Sequence, residues 1–274
     1  MNTKQKENRI LAYLILTALI LVVVCAVAAL ALGIATVATG DSSPKKTTGK
    51  DDTSTIAPPS GVTLGEEEDA GMEYIDRMIF FGESTTAHLS SRGGLSNGKM
   101  QVWKDASGTK RLSSKLLSET IVYPRTGESL TISEAVALEK PDYMVLSFGL
   151  NGITSFVSNK DSYVNNYAKL IEAIQKASPD TKIILQSIYP VTVACDDWNE
   201  SGKTISEYTA TLNEWLPEIA AAHENVRYVD TASVLTDTDG CLDEQFDYSG
   251  DGIHLTETAY ARILYYLRTH PWQE

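Results

Sequence analysis

Residues 78–84 read MIFFGES, an apolar run that ends abruptly in Gly-Glu-Ser. The first four residues carry no polar side chain, which is typical of a parallel strand that is covered on both faces. Gly82 and Glu83 interrupt the run, so the strand ends there and Ser84 begins the segment that follows. The stretch therefore predicts a buried first strand with a serine at its carboxyl end.

Further apolar runs read as strands, and helices with a single apolar stripe alternate with them. The predicted strands are Met78–Phe81, Thr120–Tyr123, Tyr143–Phe148, Lys182–Ile188 and Val226–Val229. The predicted helices are Thr131–Leu138, Asp161–Ala177, Ser206–Ala222 and Thr256–Thr269. Apolar positions repeat with helical spacing in the two longest helices. This alternation predicts an α/β fold, a three-layer α/β/α sandwich around a mainly parallel five-stranded sheet.

Polar and glycine-containing segments follow the predicted strands, and in parallel sheets such segments gather at one edge, where ligands bind. Among them are Ser84, Asn151 and the pair Asp251 and His254. A serine hydroxyl becomes a nucleophile when an imidazole takes its proton and a carboxylate fixes the imidazole tautomer. These residue types predict an acyl-transfer site with Ser84 as nucleophile, His254 as base and Asp251 as its orienting acid.

The chain has only four histidines, so few residues compete for the role of base. His88 lies four residues after Ser84 and is interpreted as a packed or rim histidine. His223 ends an amphipathic helix, where a cation suits the helix dipole, and His270 precedes a proline near the C-terminus. Both are interpreted as structural residues.

In their order along the chain, these segments resemble the SGNH hydrolase superfamily, the GDSL-type esterases and lipases, over residues 78–267. The four blocks of that family are matched by Gly82-Glu83-Ser84, Gly127, Gly149-Leu150-Asn151 and Asp251-Gly252-Ile253-His254. The resemblance implies a flavodoxin-like fold. It also implies an oxyanion hole formed by the backbone N–H groups of Ser84 and Gly127 and the side-chain amide of Asn151.

Two positions depart from that family pattern. Glu83 stands where the family has an aspartate before the serine, which keeps the charge but moves it by one methylene. Gly152 stands where an aspartate usually follows the asparagine of the third block. That aspartate often steadies the loop in the family, so Gly152 removes one support for the placement of Asn151. Neither change removes a predicted catalytic residue.

The N-terminal region predicts attachment of the protein to a membrane. Residues 1–9 contain three Lys or Arg and one Glu, and residues 10–40 contain no charged side chain. About 20 apolar residues span a bilayer, so residues 10–40 predict a transmembrane anchor with a cytoplasmic tail before it. A cleaved signal peptide is the alternative. Residues 41–72 are rich in Ser, Thr, Pro, Gly and charge and predict a disordered extracytoplasmic linker, with one hydrolase domain at residues 73–274.

The formal net charge of the chain is −13 at pH 7, and the predicted domain at residues 73–274 shows no basic patch. An acidic chain of this kind is a poor partner for nucleic acid, so we exclude a nucleic-acid-binding function. Cys25 falls in the predicted anchor. Cys195 and Cys241 fall on the predicted catalytic edge, where an oxidising exterior favours a disulfide between them.

Together these features predict a membrane-anchored serine esterase that needs no metal or organic cofactor. Its predicted substrates are O-acyl esters, chiefly O-acetyl esters, of small molecules or of cell-surface and extracellular glycans; this choice follows from the resemblance and the location. Two alternatives stay open. One is an acyltransferase that uses the same triad with a second acceptor site, and the other is a catalytically silent glycan-binding or scaffold domain.

Overall fold

The structure is a computed structural model that describes residues 61–107, 110–195 and 203–273. The predicted tail and anchor, and the predicted linker up to residue 60, lie outside the described residues. Within the described residues, no helix is both long and apolar enough to cross a membrane.

Strands and helices alternate along the described chain. The strands are β1 (Met78–Gly82), β2 (Val102–Trp103), β3 (Thr120–Val122), β4 (Ser129–Thr131), β5 (Tyr143–Ser147), β6 (Lys182–Gln186) and β7 (Val226–Val229). The helices are α1 (Gly71–Asp76), α2 (Ser84–Ala87), α3 (Leu89–Arg92), α4 (Gly98–Gln101), α5 (Ile132–Glu139), α6 (Ile153–Val157), α7 (Lys160–Ala177), α8 (Ile205–Ala221) and α9 (Glu257–Thr269). Short 3₁₀ helices occur at Leu116–Ser118, Val193–Cys195, Thr231–Val234 and Glu244–Phe246.

Five strands form one parallel sheet in the order β2-β1-β5-β6-β7. The pairing of β1 with β5 aligns Gly82 with Ser147 at the carboxyl ends of both strands. Every residue of β1 and of β5 is buried, because helices cover both faces of the sheet. The predicted α/β fold with a mainly parallel five-stranded sheet is confirmed.

Two hydrophobic clusters lie on opposite faces of this sheet and produce three layers. Ile79 and Phe81 belong to the first cluster, and Met78 and Phe80 belong to the second, as expected for side chains that alternate along a strand. Helices α5, α7 and α8 pack into the first cluster, and α1, α3 and α9 pack into the second. The four predicted helices correspond to α5, α7, α8 and α9, each within one residue of its predicted bounds.

The prediction for the second strand is wrong in one respect. Residues 120–122 form β3, but β3 pairs antiparallel with β4 in a separate two-stranded sheet. In β3 only Ile121 is buried, and the residues on either side of it are exposed. That alternation is typical of a hairpin with one solvated face. The parallel edge strand is β2, where Trp103 pairs with Phe81.

The predicted linker extends too far toward the C-terminus. Val62 and Leu64 are buried. The Leu64 N–H donates to the Tyr228 carbonyl at 2.8 Å, and the Tyr228 N–H donates to the Val62 carbonyl at 2.9 Å. Residues 62–64 therefore pair with β7 as part of the domain, because two alternating apolar residues give this segment a face to bury.

Candidate active site

The candidate nucleophile lies at a tight junction between β1 and α2. A Cβ atom at Gly82 would collide with the hydroxyl of Thr86 and the carbonyl of Ser147, so the junction requires glycine. Glu83 has extended backbone, and Ser84 is the first residue of α2. The N–H of a first helical residue has no acceptor within its helix, so the Ser84 N–H is available as a donor.

The structure brings Ser84, His254 and Asp251 into one chain of hydrogen bonds. His254 Nε2 lies 3.2 Å from Ser84 Oγ, and His254 Nδ1 lies 2.7 Å from Asp251 Oδ2. A carboxylate only accepts hydrogen bonds, so the proton of neutral His254 is on Nδ1 and Nε2 is free to accept the Ser84 proton. This is the geometry that nucleophilic activation of a serine requires.

Asp251 is fixed by groups of its own segment. Its Oδ1 accepts the N–H groups of Ile253 at 3.0 Å and His254 at 2.9 Å, and the Ser249 hydroxyl donates to Oδ2 at 2.7 Å. Partial burial alone would raise the pKa of Asp251, but the hydrogen bonds from His254, Ser249 and Ile253 outweigh it and hold the pKa well below its usual range. Asp251 is therefore ionised at neutral pH.

His88 packs beside the candidate base, as a rim histidine of the site. Its ring centroid lies 4.7 Å from that of His254. Arg92 Nη1 lies 3.5 Å from His88 Nδ1 and 3.3 Å from the Leu255 carbonyl oxygen, and the Arg92 guanidinium lies over the Tyr248 ring. Burial, with the positive charges of Arg92 and of protonated His254, lowers the pKa of His88. A neutral ring therefore stands beside His254.

Asn151 lies at the same edge, in the loop between β5 and α6. Its side-chain Nδ2 donates a long hydrogen bond, 3.5 Å, to the carbonyl of Lys110, and Asn151 lines a cavity together with Ser84 and His254. An amide nitrogen carries two hydrogens, so one remains for an oxyanion in that cavity.

Gly127 is not brought to this site. It lies exposed in the turn between β3 and β4, and its N–H donates to the Tyr123 carbonyl at 2.8 Å. Its φ of 76° suits a turn glycine. Among the described residues that line the cavity beside Ser84, Gly127 is absent. The position of Gly127 therefore does not support its expected role in the oxyanion hole.

Glu83 supports the loop that carries Asn151. Its carboxylate accepts the Gly149 N–H at 3.1 Å through Oε1 and the Asn151 N–H at 3.0 Å through Oε2. The side chain is buried, and burial raises the pKa of Glu83 to about 7 although these hydrogen bonds oppose the rise. The extra methylene of glutamate thus serves to span two amides of the loop, a role that the sequence alone did not indicate.

The cavity at this edge has a volume of about 900 Å³. Ser84, Asn151 and His254 line it, and the apolar part of the lining comes from Leu150, Ile153, Val191, Ile205, Tyr208 and Ile253. In the part of the chain that the structure describes, no three His, Cys, Asp or Glu side chains are grouped to hold a metal ion.

The predicted disulfide is not formed: Cys195 and Cys241 are both thiols. The Cys195 Sγ donates to the Asp251 carbonyl oxygen at 2.9 Å and lies against Gly252, whereas Cys241 is buried. The two cysteines share an edge of the sheet, as predicted, but the thiol of Cys195 is turned toward the Asp251 segment. Sharing an edge does not bring two Cβ atoms to the roughly 3.5–4.5 Å separation that a disulfide needs.

The chain belongs to the GDSL-like lipase/acylhydrolase family, whose model matches residues 80–262. The predicted resemblance to the GDSL-type esterases and lipases is thereby confirmed, and membership supports an ester hydrolase. No curated protein matches the sequence.

Several solved structures are similar to this chain at low sequence identity. One is a Streptococcus pneumonia protein proposed to be a platelet activating factor, with 21% identity, a TM-score of 0.50, and coverage of 73% of this chain and 91% of that one. Another is a proposed acylhydrolase from Bacteroides fragilis, with 19% identity, a TM-score of 0.48, and coverage of 75% and 87%. A family 3 carbohydrate esterase from Clostridium thermocellum has 18% identity, a TM-score of 0.43, and coverage of 70% and 93%.

Proposed function

We propose that this protein is a serine ester hydrolase that removes O-acyl groups, chiefly O-acetyl groups, from glycans outside the cytoplasm. The observation that carries the proposal is the hydrogen-bonded chain Ser84–His254–Asp251, which opens into the 900 Å³ cavity. An acetyl group uses little of that volume, so most of the cavity is left for the alcohol part of the ester.

In the proposed reaction, Ser84 Oγ attacks the ester carbonyl carbon while its proton passes to His254 Nε2. The Ser84 N–H and the Asn151 side-chain amide donate hydrogen bonds that stabilise the negative charge on the carbonyl oxygen. The bond to the alcohol oxygen breaks, and His254 returns the proton to that oxygen. Water then attacks the acyl carbon while its proton passes to His254 Nε2, the bond between that carbon and Ser84 Oγ breaks, and His254 returns the proton to Ser84 Oγ as the free acid leaves. Asp251 keeps Nδ1 protonated and stabilises the imidazolium in both steps.

The location is part of the proposal and is supported by the sequence of residues 1–40. A charge-free run at residues 10–40, preceded by a mainly basic tail, fits a single-pass anchor with the enzyme domain outside the cytoplasm. Protease treatment of intact cells tests it. Digestion of the domain without lysis supports the proposal, and protection until lysis would oppose it.

The activity is tested with the full chain, as wild type, Ser84→Ala and the control Ser118→Ala, on p-nitrophenyl esters of increasing acyl length. Ser118 is an exposed serine, and among the described residues its hydroxyl donates only to the Lys115 carbonyl. We expect acetate turnover in wild type and Ser118→Ala, and its loss in Ser84→Ala. A fluorophosphonate probe that labels none of the three proteins would instead favour a silent glycan-binding domain. Transfer of the acyl group to an added sugar, in place of hydrolysis, would favour the acyltransferase.

A further inference from the structure

Arg111 lies across Gly152, the residue that follows the proposed oxyanion donor. A Cβ atom at Gly152 would meet the guanidinium, with Cζ at 2.7 Å and Nε at 2.8 Å, and the backbone there has a φ of 98°. The guanidinium thus occupies the volume that any side chain at position 152 would need. Where the family usually carries an aspartate, this chain has a glycine covered by a cation.

The position of Arg111 is set by the residue before it. The Lys110 side chain is only 4% exposed, and its Nζ lies 3.4 Å from Asp105 and 3.2 Å from Glu119. The Lys110 carbonyl also accepts the Asn151 amide at 3.5 Å. These contacts tie the backbone of the segment to the proposed oxyanion donor, so the next side chain reaches Gly152 at the wall of the cavity.

The two neighbouring cations differ in how their charges are used. Two carboxylates neutralise Lys110. Arg111 is exposed, and within the described residues it makes no ion pair with a carboxylate. The buried Glu83 attracts it only at longer range. Its planar set of donors is therefore available to a ligand, and that set matches the two oxygens of a carboxylate.

We propose that Arg111 binds a carboxylate on the substrate, which makes esters of acidic alcohols, such as acidic sugars, the preferred substrate class. The inference rests on the proposed function. An acetyl group has no ionisable atom, so the carboxylate belongs to the alcohol part of the ester. A local cation is needed for such a substrate because the chain as a whole, with a net charge of −13, repels anions.

The test compares an anionic ester with a neutral one of similar shape, 4-acetoxybenzoate and methyl 4-acetoxybenzoate, on the full chain. In Arg111→Gln we expect KM for the anionic ester to rise about tenfold, since charge-assisted hydrogen bonds are the strong ones. The neutral ester should be hydrolysed as in wild type. Arg111→Lys should fall between the two, because it keeps the charge and loses the planar donor set. Added salt should weaken only the wild-type preference for the anion.

Lys115→Gln is the matched control, since Lys115 is an exposed cation of the same segment whose atoms, unlike those of Arg111, are not the nearest neighbours of Gly152 at the cavity wall. It should leave both esters unchanged. If Arg111→Gln raises KM equally for both esters, or for neither, the inference is overturned. Such a result leaves the proposed function intact as long as hydrolysis still depends on Ser84. If wild type and Ser84→Ala hydrolyse the neutral ester equally, the proposed function itself has failed and the inference fails with it.

Discussion

The two sides of the site are assembled in different ways. On the base side, Asp251 binds the backbone amides of its own segment and the ring of His254, so four residues of local sequence bring the proposed orienting acid and the proposed base together. On the oxyanion side, Asn151 depends on contacts from Glu83 and from the Lys110 segment, which are distant in sequence. Local geometry specifies the first side and tertiary packing specifies the second. Substitutions on the base side should therefore impair chemistry alone, and those on the oxyanion side should also affect stability.

The largest effect is expected for Asp251→Asn. The amide oxygen can still accept the backbone N–H groups, so the fold should survive, but an amide facing Nδ1 favours the wrong tautomer of His254. We expect kcat to fall about 10,000-fold, the size of the loss when the same change is made in a serine-protease triad, with the melting temperature almost unchanged. Steady-state kinetics and thermal unfolding check both parts. A loss of activity that merely follows unfolding would remove the distinction between the two sides.

The next largest effect on kcat is expected for Asn151→Ala, and it distinguishes Asn151 from Gly127, the other residue predicted to form the oxyanion hole. Asn151→Ala removes a proposed donor and should lower kcat by about 100- to 1,000-fold. Gly127→Ala forces a φ of 76° on a residue with a Cβ, which should cost about 1 kcal/mol of stability and leave kcat unchanged. Both variants are assayed for kcat and for unfolding by denaturant. A fall in kcat in Gly127→Ala comparable to that in Asn151→Ala would restore Gly127 to the oxyanion hole.

A third prediction concerns the pH dependence of stability through Glu83. Its pKa of about 7 in the folded protein exceeds the ordinary value, so the folded state holds this proton more tightly than the unfolded state. The resulting stability is fully present below about pH 4.5 and is lost as pH rises through 7. The loss is of the order of 3 kcal/mol at most, because a tenfold difference in proton affinity between the folded and unfolded states corresponds to about 1.4 kcal/mol.

Glu83→Gln tests this, because glutamine does not titrate. Between pH 5 and pH 8 the free energy of unfolding of wild type should fall relative to that of Glu83→Gln. Glu128→Gln, at an exposed position, should keep the wild-type pH dependence. Parallel pH profiles for wild type and Glu83→Gln would mean that Glu83 is ionised at both pH values, so that charge rather than a proton holds the Asn151 loop.

The division between local geometry and tertiary packing also explains which features the sequence predicts and which it does not. The long apolar runs of β1, β5, β6 and β7 and the stripes of α7 and α8 are local signals, and each was found close to its true bounds. The edge strand β2 has only two residues, Val102 and Trp103, too few to register as a run. The hairpin strand β3 has a longer apolar signal, and this signal is what places the predicted second-block glycine at Gly127. One local misassignment thus carried into the site.

Long-range partners account for the rest. The sequence shows that Glu83 and Gly152 depart from the family pattern, but not that Glu83 spans two amides of the Asn151 loop. Nor does it show that Arg111 covers Gly152. Those contacts join residues that are 41 to 68 positions apart in the chain, and no periodicity or spacing in the sequence encodes them.

The smallest effect is expected from reduction of the protein. The Cys195 thiol donates a hydrogen bond to the carbonyl oxygen of Asp251, and Cys195 has no covalent bond to Cys241. A disulfide would contribute about 2–4 kcal/mol, so its absence means that a reducing agent should leave the melting temperature and kcat unchanged. Thiol titration of the denatured chain without reductant should find all three cysteines of the sequence reactive. A count of one, with a lower melting temperature after reduction, would show that a covalent link between Cys195 and Cys241 also supports the base side.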